Sequence, residues 1–266
     1  VSDIDRSVEF YQNIVGLDVL DHKSDCVRLG VASRPLVELC PGAVAGPLSG
    51  RRLGLYHFAI LLPDRPALGR TLAHLLAAGV KLGASDHLVS EALYIRDPDD
   101  LGIEIYHDRA RETWALQGRE LAMASIALDL EDVMRSGGGE AWQGLPVGTV
   151  MGHLHLQVGD LEQGKAFYHV GLGLNLIVWS YPGALFLSAG GYHHHLGINT
   201  WAGPSARPAA AQEPKLLEWE LVLPDAASVA AAAESLTQQG YVVTTERFDR
   251  VAADPWGTQL RLTTVV

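Results

Sequence analysis

Apolar positions recur along this chain in two rhythms. Leu55–Leu62 is a short, nearly continuous apolar run, the pattern of a buried strand. From Asp64 to Ala78 the rhythm changes: Leu68, Leu72, Leu75 and Leu76 fall at helical spacing, and Gly79 supplies a helix stop. Glu91–Ile95 and Gly102–His107 alternate as strands do, with Asp97-Pro98-Asp99-Asp100 as the turn between them. Later segments repeat the series. Leu217–Leu223 reads as a strand, Ala226–Gln239 as an Ala-rich helix ending at Gly240, and Tyr241–Arg247 and Thr258–Val265 as strands. Gly152–Val158 reads as a strand and Leu161–His169 as a helix, followed by strands at Leu176–Trp179, Ala184–Ser188 and His193–Thr200.

The recurrence is a true repeat. The stretch from Val1 through Phe10-Tyr11 to Gly16-Leu17 reappears from Val158 through Phe167-Tyr168 to Gly173-Leu174, at a constant offset of 157 residues. Tyr56–Asp64 matches Leu217–Asp225, and Asp97-Pro98 matches Asp254-Pro255. The chain is therefore expected to be an α+β protein of four βαβββ modules, paired as tandem halves at 1–115 and 150–266. Residues 116–149, with Gly137-Gly138-Gly139, read as a linker holding a short helix and a loop. The first module shows no first strand. By its match to the third module, that strand is expected upstream of Val1.

Composition narrows the function classes. Of 266 residues, 48% are hydrophobic and 19% charged, which suits packed cores rather than disorder. The formal net charge of −11, with no basic stretch, argues against a nucleic-acid partner. No apolar run approaches the roughly 20 residues of a membrane helix. Val1-Ser2-Asp3-Ile4 lacks signal-peptide character, and Cys26 and Cys40 read as two reduced core thiols. A cytoplasmic protein without membrane partners is the expectation.

Candidate chemistry starts at His57, in the middle of one strand, and Glu104, in another strand of the same module. An imidazole and a carboxylate on neighbouring strands can share a metal; a core histidine beside a solvated glutamate is the plainer alternative. Between them runs His87-Leu88-Val89-Ser90-Glu91-Ala92-Leu93-Tyr94-Ile95-Arg96-Asp97-Pro98-Asp99-Asp100-Leu101-Gly102-Ile103-Glu104. This resembles the signature of extradiol ring-cleaving dioxygenases in the vicinal-oxygen-chelate (glyoxalase/bleomycin-resistance) superfamily. Gly152-His153-Leu154-His155-Leu156 and Tyr192-His193-His194-His195-Leu196-Gly197-Ile198-Asn199-Thr200-Trp201 strengthen the resemblance, which points to bacterial catechol 2,3-dioxygenase-like proteins. The resemblance implies two tandem open-barrel domains. It implies that His57 and Glu104 are metal ligands, with a third His upstream of Val1, and that His87 and Tyr94 line the substrate side. Fe(II), with Mn(II) or another divalent metal as alternative, a small aromatic diol and O2 follow from it, as does self-association into a homo-oligomer.

Several residues depart from or extend that pattern. Asp100 stands where the signature usually has Gly, at a turn position that favours φ > 0. Residues 23–56 contain no His, so the family's additional catalytic histidine has no counterpart there. Glu38 matches Glu104 between modules and is an extra ligand candidate, which would suit a glyoxalase-like lyase or isomerase. In the second half, Glu218 stands where His57 would be and Arg261 where Glu104 would be. That half reads as a degenerate copy, with His153, Glu218 and one of His193–His195, His195 among them, as a non-standard alternative site. His22, His74, His107 and His169 show no partners in sequence. Trp114, Trp142 and Trp201 are candidates for a cleft wall, with ordinary aromatic packing as the alternative. The leading function is a metal-dependent extradiol dioxygenase. The glyoxalase-like enzyme and a non-catalytic binder of small aromatic molecules are the rivals.

Overall fold

The computed structural model describes residues 1–44 and 51–264, which fall into two compact units. The first comprises residues 1–44, 56–154 and 211–214. It opens with α1 (Ile4–Phe10), whose N-cap Asp3 accepts the Arg6 N–H, and continues through a π-helical turn at Tyr11–Val15. Then β1 (Asp18–Lys23), β2 (Cys26–Val31) and β3 (Arg34–Leu39) make a three-stranded antiparallel sheet.

The unit's larger sheet is built from β4 (Arg52–Leu61), β5 (Gly83–Asp86), β6 (Ser90–Arg96) and β7 (Gly102–Asp108). A small hairpin, β8 (Leu116–Gln117) and β9 (Glu120–Leu121), follows, then the helix α3 (Leu130–Ser136) and β10 (Val150–Gln157). The strands are ordered β10-β4-β7-β6-β5, with β4 parallel to β7. Helix α2 (Arg65–Ala77) connects β4 to β5; Asp64 caps it by accepting the Ala67 N–H at 2.8 Å. Its Leu68, Leu72 and Leu75 are fully buried, as the helical spacing predicts. Strand alternation divides the sheet. Phe58, Ile60, Ile103, Ile105, Leu93 and Ile95 belong to one apolar face, and His57, Ala59, Glu104, Tyr106, Ala92 and Tyr94 to the other. Each of β4 and β10 gives its remaining residues to the second unit.

The second unit comprises residues 51–55, 155–210 and 215–264. Helix α4 (Leu161–Lys165) passes into a π-helical turn at Ala166–Gly171, so the expected helix at Leu161–His169 changes its winding midway. Strands β11 (Asn175–Val178), β12 (Ala184–Ser188) and β13 (Leu196–Asn199) pair antiparallel in that order. The short β14 (Arg207–Pro208) runs parallel to the start of β4. Strand β15 (Glu218–Leu223), helix α5 (Ala226–Gln238), and β16 (Val243–Glu246), β17 (Asp249–Ala253) and β18 (Gln259–Thr264) complete the unit, with sheet order β15-β18-β17-β16. Val265, the expected last strand residue, lies outside the described residues.

The 157-residue repeat survives as hydrogen bonding. The Tyr11 hydroxyl meets Asp97 at 3.2 Å, and the Tyr168 hydroxyl meets Asp254 at 2.9 Å. Asp97 also accepts the N–H groups of Asp99 and Leu101, and Asp254 those of Trp256 and Thr258. Burial pushes both carboxyls above the usual range despite these bonds. The turn anticipated at Asp97–Asp100 places Asp100 at φ +65°, and its repeat mate Gly257 at +89°.

Three expectations change. Cys26 and Cys40 are joined as a disulfide rather than left as thiols, because they close the open end of the β2–β3 hairpin directly opposite one another. Residues 116–149 belong to the first unit, and α3 packs on α2. His193–His195 precede β13 instead of lying within a strand, because Gly190 and Gly191 at positive φ continue the turn up to them.

Candidate metal centre

Three side chains of the first unit converge. His57 comes from β4, Glu104 from β7 and His153 from β10. The Nε2 atoms of His57 and His153 stand 3.0 and 3.2 Å from the same oxygen, Glu104 Oε2. One nitrogen from each imidazole and a carboxylate oxygen all lie within 4.8 Å of one another. All three side chains are buried, with Glu104 only 2% exposed.

Sheet register explains the convergence. Glu104 pairs with Ala59 on β4 and with Tyr94 on β6. His57 lies two residues before Ala59 and so shares its face, and the small Ala59 side chain leaves room beside the carboxylate. His153 packs against Tyr106 at a 4.8 Å ring separation, and its ring meets His57 edge-on at 5.7 Å. Gly152 is required here: a Cβ at that position would sit 2.0 Å from the Tyr106 hydroxyl.

Burial pushes the Glu104 carboxyl up, but the charges and hydrogen bonds of His153 and His57 outweigh it and hold the group well below the ordinary carboxylate range. The donor set is thus two imidazoles and one anionic carboxylate on strands of a single sheet. It fits a divalent transition metal with coordination positions left for other ligands. A metal would displace imidazole protons, since a ligating nitrogen needs its lone pair.

His87 and Tyr94 are adjacent. His87 Nε2 lies 2.6 Å from the Tyr94 hydroxyl, and the Tyr94 ring is 5.6 Å from that of His57. Glu38 is elsewhere: exposed on β3, beside Cys40, and not one of the atoms gathered around Glu104. The second-unit candidates do not gather either. Glu218 makes a two-pronged ion pair with Arg261 at 2.7 and 3.0 Å, and Arg261 also reaches Glu246 and Asp249. His193 and His194 face each other with Nδ1 atoms 2.7 Å apart, while His195 Nδ1 accepts the Ala189 N–H. Among the described residues, the only other His/Cys/carboxylate group is Cys26, Glu38 and Cys40, whose sulfurs are bonded to each other.

His74 stacks on Trp142 at 3.5 Å, and His169 contacts the Leu174 carbonyl at 2.6 Å. Trp114 and Trp201 donate to the carbonyls of Arg109 and Pro182. These are local packing roles.

His153 and His57 occupy matching positions in their modules, each seven residues before a helix-capping aspartate, Asp160 or Asp64. The same correspondence identifies the third module's counterpart of Glu104. Leu62 N–H bonds the Tyr106 carbonyl where Val158 N–H bonds that of Asn199. Two residues before Tyr106 is Glu104; two before Asn199 is Gly197. The repeat therefore supplies no second carboxylate.

A family model described as the Glyoxalase/Bleomycin resistance protein/Dioxygenase superfamily matches residues 1–105 and 150–260. A protein named catechol-2,3-dioxygenase from Bacillus subtilis (strain 168) is 43% identical over 250 residues, covering 91% of this chain and 87% of the relative. Among solved structures, a putative dioxygenase from Bacillus subtilis subsp. subtilis str. 168 superposes with a TM-score of 0.67 at 15% identity, over 99% of this chain and 82% of that one. Glyoxalase I from Zea mays gives 0.58 at 18%, over 99% and 89%. At such identities, both speak to the fold.

Proposed function

The chain belongs to the glyoxalase/bleomycin resistance protein/dioxygenase superfamily, and on that premise we propose that it is a metal-dependent extradiol dioxygenase, an oxidoreductase that opens the ring of a catechol-like diol with O2. The observation that carries the proposal is the convergence of His57, His153 and Glu104 on one buried point. The relative's name supports the reaction class, and the two-imidazole, one-carboxylate donor set agrees with it.

His57, His153 and Glu104 would hold the metal, with Fe(II) as the proposed ion and Mn(II) as the alternative. A bound divalent ion supplies Lewis acidity to two adjacent hydroxyls and a path for electrons between ring and O2. The protein's own contribution is placement. Glu104 brings the single negative charge of the donor set, and Ala59 beside it keeps the site uncrowded. Tyr94 and His87 form a hydrogen-bonded pair on the neighbouring strand and turn, and in this reading they would contact the diol and accept or return its proton. The expected partners are a small aromatic diol, O2 and a second copy of the chain. Among the described residues no helix is long and apolar enough to cross a membrane.

The rival glyoxalase-like reading calls for a further carboxylate. Neither Gly197, the repeat counterpart of Glu104, nor Glu38 on β3 provides it at the trio. The test is anaerobic loading with Fe(II), then catechol and air, following the yellow ring-opened product. Colour that depends on iron and disappears in His57→Ala and His153→Ala is expected. Stoichiometric metal without colour across a panel of substituted catechols would overturn the dioxygenase assignment in favour of a lyase or isomerase.

A further inference from the structure

We propose that residues 124–126, in the stretch that reads as a connector, fix the tautomer of His87 and so make Tyr94 a hydrogen-bond acceptor toward its ligand. The tautomer is argued from hydrogen bonding alone; what Tyr94 then recognises rests on the proposed dioxygenase reading.

His87 Nδ1 lies 2.8 Å from the Ala124 carbonyl oxygen. A carbonyl can only accept, whereas the Ser125 hydroxyl, farther from Nδ1 at 3.4 Å, can accept as well as donate, so the shorter contact puts the proton on Nδ1. In the neutral ring Nε2 is then a lone pair, and it faces the Tyr94 hydroxyl at 2.6 Å. The phenol's single hydrogen is committed to that nitrogen. Its remaining oxygen lone pair is what Tyr94 can offer a ligand, which selects a group that donates, such as a protonated hydroxyl of a diol.

The carbonyl is held in place. Asp86 and Ile126 exchange two backbone hydrogen bonds, each 3.0 Å, joining this segment to the end of β5. The side chain of the same Asp86 fastens the turn that bears His87. Asp86 Oδ1 accepts the Leu88 N–H at 2.8 Å, and Asp86 Oδ2 accepts from Arg109 at 2.7 Å. Leu88 sits at φ +69°, a left-handed conformation that a branched apolar residue adopts only when its surroundings impose it. A constrained turn delivers the ring, and a bridged segment delivers the carbonyl.

The test uses metal-free protein with 15N-labelled histidine and long-range 1H–15N spectra. The expected result is an Nδ1–H tautomer for His87 in the wild type, kept in Tyr94→Phe because the carbonyl, not the phenol, sets it. Ile126→Pro deletes the N–H that Asp86 accepts and is expected to abolish that tautomer preference. An Nε2–H His87 in the wild type, or an unchanged tautomer in Ile126→Pro, would overturn the proposal. For the acceptor role, the probes are catechol and 1,2-dimethoxybenzene, which has no hydroxyl to donate, on protein loaded with redox-inert Zn(II). Tyr94→Phe should weaken catechol by about tenfold, the scale of one hydrogen bond, and leave 1,2-dimethoxybenzene unchanged. Equal weakening of both would refute the acceptor assignment. Absence of Zn(II) binding would count against the metal centre instead, so the two readings fail separately.

Discussion

Replacing His153 by alanine separates the proposed centre from a cluster of merely structural histidines. The imidazole is 1% exposed and shares Glu104 Oε2 with His57. In the metal-free protein the substitution removes one hydrogen bond to a buried charge, worth about 1.5–3 kcal/mol. For a loss of about 2 kcal/mol, a chain of this size should melt about 4–8 °C lower. In the metal-loaded protein the loss is larger. Even a partner that only supports a ligand contributes roughly 10–100-fold to affinity, so deleting a ligand itself should weaken binding by at least about 100-fold, or roughly 3 kcal/mol. Isothermal titration with Fe(II) under argon, or with Zn(II) in air, reads the affinity, and calorimetry reads the melting. Glu218→Gln serves as the contrast: it loosens the Arg261 pair but should leave metal affinity at the wild-type value. His153→Ala protein that binds metal as tightly as wild type would refute the reasoning and return the third ligand to a residue outside this trio.

Gly152→Ala should destabilise the protein by about 1–3 kcal/mol, because its Cβ would overlap the hydroxyl of the buried Tyr106; a wild-type urea midpoint would refute this. Asp97 favours its neutral form in the folded protein, so its contribution to stability is full below the ordinary carboxylate range and is lost as the pH rises through its raised folded value. Asp97→Asn should remove that part of the slope, seen as a flatter dependence of the urea midpoint on pH. Asp100→Gly relieves a left-handed backbone at little cost in exposed contacts and should raise stability by up to about 1 kcal/mol in the same assay.

Much of this architecture could be read in the sequence because it is written in local terms. Asp64 and Gly79 bracket α2 and Asp225 and Gly240 bracket α5, since caps and stops act within a turn of the residues they end. The repeated Tyr–Asp pairs were visible as equal spacing. The resemblance pointed to His57 and Glu104, which the structure brings together, and to His87 and Tyr94, which it joins by a hydrogen bond. His153 was legible as a candidate but not as their neighbour. Its approach depends on β10 lying beside β4, a pairing between strands about a hundred residues apart that no local pattern encodes. The Ala124 carbonyl escaped for a different reason: a backbone acceptor has no side-chain signature. The disulfide escaped because two cysteines fourteen residues apart say little until a hairpin is known to set them opposite one another.

The spacing of the three donors also bears on how the protein is made. A ribosome releases His57 and Glu104 well before His153, and an imidazole with one carboxylate is a weak and unselective chelator. If the trio holds a metal as proposed, high-affinity capture would wait until β10 has emerged and joined the sheet. Metallation would then report that a nascent chain has been extended and folded through its midpoint, and a chain stalled earlier would be left without metal.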